Sequence, residues 1–347
     1  MNRFDYIRPS SVAGAIAAWQ PDAAYLGGGT NLVDLMKTGA MRPTTLIDIN
    51  RLPGLDRIET LPGGGVRIGA MVRNADLAHD ADFARSFPIV AEALLAGASA
   101  QIRNAATVGG NLIQRTRCAY FQDAHSPCNR RKPASGCSAI GGENANLAIL
   151  GWSAACIATN PSDFAVALAA LDAIVETEGI NGRREIPLAE FYRLPGDTPE
   201  KETLLEPGEL ILAVHVPVEA AAFRHHARYL KIRERTSFAF ALVSVAAALR
   251  FENGRIAGGR LAIGAIAAKP WRAAEAEAIL TGQAPGPDLF GRAAAILLEG
   301  AKPSGDNGFK IELARRTVIR ALAMAASGTP ARIPALPASV FGDPIHA

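Results

Sequence analysis

Two glycine clusters, each closed by an asparagine, constrain this 347-residue chain more than any other feature: Gly27-Gly28-Gly29-Thr30-Asn31 and Thr107-Val108-Gly109-Gly110-Asn111. Glycine has no Cβ, so its backbone reaches positive φ and lets a phosphate or another backbone come close. Successive amides then form an anion nest, and a helix beginning at the loop adds a favourable dipole. The first cluster lies between an apolar strand near Ala23–Leu26 and a helix expected over Leu32–Thr38. Thr30, Asn31 and Thr107 add side-chain donors, and two such loops suit the two phosphates of a dinucleotide. A lone glycine triplet is more often a tight turn. Gly63-Gly64-Gly65, which runs straight into a strand expected over 66–70, is read as one. Neither cluster has the G-x-G-x-x-G spacing, so a nicotinamide-type Rossmann site is not supported.

The four cysteines are the second constraint. Cys118, Cys128, Cys137 and Cys156 fall in a window of 39 residues, separated by nine, eight and eighteen residues. Such crowding points to one site. Zinc sites usually draw two ligands from one tight turn, and no such close pair is present. Two disulfides would suit a secreted chain. The start, Met1-Asn2-Arg3-Phe4-Asp5-Tyr6, lacks the basic segment and apolar run of a secretory signal, so cytoplasmic folding is expected. Four thiolates around a 4Fe-4S cluster fit the count, although the spacing is not a ferredoxin run. Arg115, Arg117, Arg130, Arg131 and Lys132 surround them, and nearby cations would stabilise a reduced, thiolate-ligated cluster. The plain alternative is a solvated face or a subunit contact.

Around these motifs the pattern is mixed. Helices are expected over 12–19, 91–100, 164–171, 271–280 and 311–325. Strands are expected over 45–49, 173–178, Leu210–Val216, 241–251 and 255–265, the last two joined by the hairpin turn Glu252-Asn253-Gly254. The cysteine window is rich in Pro, Gly, Asn and Arg and should be irregular; so long a loop is uncommon unless it is functional or disordered. Adjacent residues on a strand face opposite ways, so His225-His226, read as strand, is a surface or interface pair rather than a metal site. The net charge of +3, spread along the chain, and 6% aromatic residues argue against nucleic acid as a partner. No run of eighteen apolar residues indicates a membrane span.

Taken together, Leu26-Gly27-Gly28-Gly29-Thr30-Asn31-Leu32 and Gln101-Ile102-Arg103-Asn104-Ala105-Ala106-Thr107-Val108-Gly109-Gly110-Asn111-Leu112 resemble the FAD subunits of the xanthine dehydrogenase and aldehyde oxidoreductase family, the molybdenum hydroxylases. The resemblance continues through Asn160-Pro161-Ser162-Asp163, Gly208-Glu209-Leu210-Ile211-Leu212 and Tyr229-Leu230-Lys231-Ile232-Arg233. It implies an α+β chain: a two-subdomain FAD-binding fold of the PCMH (vanillyl-alcohol oxidase-like) type, then an α+β C-terminal domain of the CO dehydrogenase flavoprotein type. The divisions expected are 1–57, 58–218 with an insert at about 113–158, 223–330, and a tail over 331–347. By position, Leu26, Gly27, Gly28, Gly29, Thr30, Asn31, Leu32 and Val33 would wrap the pyrophosphate. Thr107, Val108, Gly109, Gly110 and Asn111 would form the second wall. Asp163 would accept from a ribityl hydroxyl, Ile211 would pack on the flavin or adenine, and Lys231 would lie near the ring. Without the resemblance, Asp163 reads as a helix cap and Ile211 as ordinary core.

About fifty residues separate Asn111 from Asp163, where most members of the family have a short turn. Arg117-Cys118-Ala119-Tyr120-Phe121-Gln122-Asp123, Pro127-Cys128-Asn129-Arg130-Arg131 and Ser135-Gly136-Cys137 look like the insert of bacterial periplasmic aldehyde oxidoreductases. A related insert occurs in 4-hydroxybenzoyl-CoA reductases, and both carry an extra 4Fe-4S cluster. The resemblance therefore implies an FAD and 4Fe-4S electron-transfer subunit of a heterotrimeric aldehyde-oxidising enzyme. Its partners would be a large molybdenum-cofactor subunit and a small 2Fe-2S subunit. No acid–base residue is expected to be essential, because the cofactors do the chemistry. A stand-alone FAD oxidoreductase of the same fold would need a base that nothing nominates, and a zinc-stapled interaction protein would leave both glycine loops unexplained. Relatives of this kind are exported folded on a partner's signal, so the expected compartment is the periplasm by co-export, or the cytoplasm.

Overall fold

The computed structural model describes residues 1–331. The expected tail over 331–347 lies outside the described residues apart from Ala331.

The first unit is a small α/β layer. Strands β1 (Asp5–Ile7), β2 (Ala23–Leu26) and β3 (Thr45–Asp48) form a parallel sheet in the order β1-β3-β2, with α1 (Val12–Ala17) and α2 (Leu32–Thr38) on the crossovers. Central β3 is buried along its whole length, as a parallel strand covered on both faces must be. Ser11 starts α1 by accepting from the Gly14 amide, and Gly39 ends α2 in the left-handed conformation.

The second unit is an antiparallel sheet in the order β4-β5-β8-β6-β7, made of Ile58–Thr60, Val66–Gly69, Leu210–Val216, Ile174–Gly179 and Gly182–Pro187. Between β5 and β6 the chain forms seven helices: α3 (Asn74–His79), α4 (Ala81–Ser86), α5 (Pro88–Ala96), α6 (Ala100–Ala105), α7 (Val108–Leu112), α8 (Ala119–Gln122) and α9 (Asp163–Ala170). A further turn, α10 (Leu188–Phe191), follows β7. The core of this unit packs α5 and α9 against the sheet, and α9 is buried on every side after Asp163.

The C-terminal unit is a three-stranded antiparallel sheet in the order β11-β10-β9, from Arg255–Gly264, Val243–Glu252 and Ala227–Ile232. Asn253 and Gly254 both take positive φ in the hairpin turn, as expected. Along β10, Ala246 and Ala248 face the second unit, whereas Val245, Ala247 and Leu249 face α12 (Pro287–Leu297) and α13 (Phe309–Ala326); α11 (Ala274–Ala278) caps the same layer. Both faces of this sheet are thus covered, which is why β10 reads as nearly unbroken Val and Ala.

Three local expectations need correction. Gly97 and the left-handed Ala98 break the helix expected over 91–100 into α5 and α6. The helix expected over 271–280 shrinks to α11, because Trp271 pairs its backbone with Ile263 of β11. His225 and His226 lie in a 3-10 turn over Val218–His226 and not on a strand; the His226 ring packs on Phe251 and its Nδ1 is 3.0 Å from the Ala325 carbonyl.

The cysteine insert holds little regular structure beyond α8, and the C-terminal unit grips its exit. Fully buried Lys310 donates to the carbonyls of Asn146, Leu147 and Ala265 at 3.1, 2.9 and 2.7 Å. Asn307 donates to the carbonyls of Leu147 and Ala148 at 3.1 and 3.0 Å. Replacing Lys310 by Met keeps an apolar stem and removes three buried donors. Lys310→Met is expected to lower the unfolding free energy by about 2–4 kcal/mol, seen as a lower urea midpoint at unchanged slope. An unchanged midpoint would show that the grip is not made.

Candidate cofactor groove and cysteine centre

The two glycine loops meet at the waist of a two-lobed groove. The larger lobe has a volume of about 700 Å³ and the smaller about 360 Å³. Thr30, Asn31, Gly110 and Gln114 line both lobes, so the loops stand between them. A groove with a ring-sized lobe at each end and an amide-rich waist fits an extended dinucleotide. Buried Asn31 Nδ2 and Asn74 Oδ1 have no partner in the protein, and both side chains line the larger lobe. Orphaned buried polar atoms of this kind call for a polar ligand.

The loops approach each other as closely as backbones can. A Cβ on Gly28 would lie 2.0 Å from the Ala105 carbonyl oxygen, and Gly29 has φ +71°. Behind them a polar bridge fixes the spacing. Asn50 Nδ2 donates to the carbonyls of Leu26 and Gly27 at 3.1 and 3.0 Å, while Arg73 donates to Asn50 Oδ1 at 3.2 Å and to the Ala105 carbonyl. One bridge therefore ties the first loop to the residues leading into the second. Asp48 supports it by accepting from Asn50 at 2.7 Å, and hydrogen bonds from Tyr6, Asn50 and Arg8 outweigh its burial to hold its pKa down at about 2. Asn50 and Arg73 carry no motif of their own, and sequence reading missed both.

The second loop is coupled to the Ser-Asp pair. Thr107 starts α7 by accepting from the Gly110 amide at 3.2 Å. Ser162 donates to Asn111 Oδ1 at 2.7 Å and caps α9 by accepting from the Ala165 amide at 3.0 Å. Asp163, the first residue of α9, projects into the larger lobe. Its Oδ2 accepts from Lys231 Nζ at 2.7 Å and its Oδ1 from the Tyr229 hydroxyl at 2.7 Å. Lys231 also donates to the Ala96 carbonyl at the C-terminus of α5, at 3.2 Å. The pair thus has its anion at one helix N-terminus and its cation at another's C-terminus, the favourable sense for both dipoles. Burial and the Asp163 charge push the Tyr229 hydroxyl well above its usual pKa. Tyr229 was not singled out from the sequence, yet its period-two spacing from Lys231 places both on one face of β9.

The remaining expected residues fall around this frame. Gly27, Gly28, Gly29, Leu32 and Thr107 line the smaller lobe. Leu26 ends β2 and offers its carbonyl to Asn50, while Val33 packs behind Gly29. Val108 and Gly109 are buried behind the groove, where Gly109 lets α7 sit against Ala70 of the strand-end turn. Ile211 lies in the core of β8 and lines neither lobe.

The four cysteines gather on the wall shared with the groove. Cys118, Cys128 and Cys156 are buried in one apolar cluster with Leu35, Phe121 and Ile157, and Cys137 packs against it; all four are free thiols. Backbone pairing of Cys128 with Cys137 brings these two together. Cys118 also lines the larger lobe. Burial pushes its pKa up to about 11, with Phe121 and Tyr120 amides opposing and Cys128 and Cys156 adding to the rise. The Ala158 amide donates to Cys156 Sγ at 3.5 Å, and amides of Ala139, Ile140 and Ile157 face Cys137. Among the described residues, no group of three or more His, Cys, Asp or Glu is arranged to hold a metal ion, and no helix is long and apolar enough to cross a membrane.

The close contact at Gly28 makes a direct prediction. Gly28→Ala forces a methyl into the Ala105 carbonyl and spreads the waist. The dissociation constant of the variant for FAD should rise at least ~10-fold, equivalent to about 1.4 kcal/mol or more, with the far-ultraviolet circular dichroism retained. A variant with wild-type affinity for FAD would contradict the geometry.

Comparison with known proteins matches this architecture in both parts. Residues 2–219 match the model of the FAD binding domain in molybdopterin dehydrogenase, and residues 228–326 match the CO dehydrogenase flavoprotein C-terminal domain. The chain is 49% identical over 330 residues to the aldehyde oxidoreductase FAD-binding subunit PaoB of Escherichia coli K12, covering 94% of this chain and 99% of that protein. It is 28% identical to the carbon monoxide dehydrogenase medium chain of Hydrogenophaga pseudoflava, covering 92% and 96%. Among solved structures, reconstituted CO dehydrogenase from Oligotropha carboxidovorans superposes with a TM-score of 0.75 at 25% identity, covering 94% of this chain and 99% of that one. With both halves matched and the groove in place, the chain belongs to the FAD-binding subunits of the molybdenum hydroxylase family.

Proposed function

We propose that this chain is the electron-transfer subunit of an aldehyde-oxidising molybdenum enzyme, binding FAD in the two-lobed groove and a 4Fe-4S cluster at Cys118, Cys128, Cys137 and Cys156. One observation carries the reading: Cys118 belongs to the buried thiol cluster and also lines the larger lobe of the groove. The donor set fits such a cluster. The thiols are unpaired, backbone amides face their sulfurs, and buried Arg130 lies beside Cys156. A four-iron body is larger than a single ion, so its thiolates stand further apart than the ligands of one metal. Burial alone disfavours thiolates here, and ligation would supply the missing compensation.

When bound, FAD collects two electrons and an iron–sulfur cluster passes them singly. The residues of this chain hold, orient and compensate. The amides of the first loop bind the pyrophosphate at the waist against the wall made by the second, and Asn31 and Asn74 offer their free polar atoms to the ligand. Asp163 orients the ribityl chain, and Lys231 keeps a positive charge at the ring end. The partners, proposed from the relatives and the resemblance, are a large molybdenum-cofactor subunit that oxidises the aldehyde and a small 2Fe-2S subunit that delivers the electrons. An external acceptor then takes them from this chain.

Iron, acid-labile sulfide and flavin should be measured on anaerobically purified chain beside a Cys128→Ser variant. About four irons and one FAD per chain are expected, with iron lost and flavin kept in the variant. Flavin without iron in both proteins would remove the cluster and leave the FAD subunit standing. Absence of flavin as well would discard the whole proposal.

A further inference from the structure

The cations of the cysteine window do not share one role. Arg131 donates to the carbonyls of Tyr120, Phe121 and Ser126 and shapes the backbone there. Arg117 pairs with Asp34 at 3.3 Å and lies 4.8 Å over the Phe240 ring. Arg115 pairs with Glu202 and lies 4.8 Å over Phe121. Lys132 is exposed.

Arg130 is different. Its side chain is only 4% exposed, against 24% for Arg117, and Nη1 is 2.7 Å from Glu202 Oε2; its Nε, like that of Arg117, is buried with no partner. Asn129, next to it in the chain, donates to the carbonyl of Ala155, the neighbour of Cys156, at 3.0 Å, which sets Arg130 beside that thiol. Burial opposes its charge, but Glu202 and Cys156 raise its pKa above the ordinary value. Glu202 is shared with Arg115, so two guanidiniums face one carboxylate on the wall between the thiols and the smaller lobe. A buried guanidinium left short of negative charge is costly. The deficit disappears if the thiols hold a body that is itself negative and becomes more so on reduction.

We propose that Arg130 sets the reduction potential of the cysteine centre, with Glu202 as the counterweight that moderates it. The inference rests on the cluster reading above. A cation beside a thiolate ligand stabilises the reduced centre, and the neighbouring carboxylate opposes it. The two side chains touch each other, so their removal has opposite electrostatic effects at one place. A merely structural role would move both variants the same way, toward lost iron.

The test uses the full chain, purified anaerobically, with Arg130→Met, Arg130→Lys and Glu202→Gln beside the wild type. Iron, sulfide and FAD are assayed first. The reduced fraction of the cluster is then read by electron paramagnetic resonance at one fixed ambient potential. A several-fold fall is expected in Arg130→Met, a value near wild type in Arg130→Lys, and a several-fold rise in Glu202→Gln. If Arg130→Met loses its iron, Glu202→Gln decides: a rise supports the assignment, and no change or a fall overturns it. Fully loaded variants with no opposite shifts overturn this inference alone. Wild-type chain without iron overturns the cluster reading, and this inference with it.

Discussion

The structure depends on one close approach, the contact of Gly28 with the Ala105 carbonyl. Two loops from different parts of the chain can share a waist only if neither carries a side chain there, and at 2.0 Å even a methyl is excluded. Contact of this kind needs something to hold it, since bare backbones do not attract strongly. Asn50 and Arg73 supply that hold from behind, through carbonyls that the groove itself leaves free. The front of the waist keeps the amides of the first loop and two orphaned side-chain groups for a ligand, while the amides of Val108 to Asn111 are spent inside the protein. Rigidity at the back and unmet polarity at the front are the two halves of a preorganised binding site.

The same logic places the insert. Some fifty residues with little regular structure would not stay ordered through their own backbone pairing. They are held from outside, by Lys310 and Asn307 at the exit and by an apolar cluster around the thiols. The C-terminal unit therefore does more than cover the sheet. It supplies Lys231 to the larger lobe, sets the Tyr229 hydroxyl behind Asp163, and fixes the segment that brings Cys156 back to the other three cysteines.

Much of the frame was legible because it rests on strong local signals. Glycine clusters, Asn-Gly at the hairpin and the apolar runs of Leu210–Val216 and β10 each have one dominant reading. The glycine loops and the cysteine window were visible as motifs, and Asp163 and Lys231 came by resemblance. What stayed hidden depends on distance in space. Asn50 and Arg73 are ordinary polar residues until the fold brings Leu26, Gly27 and Ala105 together. Lys310 reads as one more cation on an amphipathic helix until its ammonium is found among three carbonyls. His225-His226 sits on a 3-10 turn where a strand is expected, although His225 is exposed as a surface residue should be, and 271–280 is shorter than expected because a proline before an apolar stretch also suits a strand-like bridge. Ile211 lies on a central strand buried on both faces, and that burial explains everything the structure shows of it.

The Asn50–Arg73 bridge holds the two glycine loops at the spacing a dinucleotide needs. The most direct test is the dissociation constant for FAD of Arg73→Met against wild type, by quenching of flavin fluorescence on apoprotein reconstituted under the same conditions. Loss of a charged hydrogen-bonding group at this place is expected to weaken binding at least ~10-fold, with thermal unfolding of the FAD-free proteins closely matched. Equal affinity in the two proteins would show that the loops hold their spacing without the bridge.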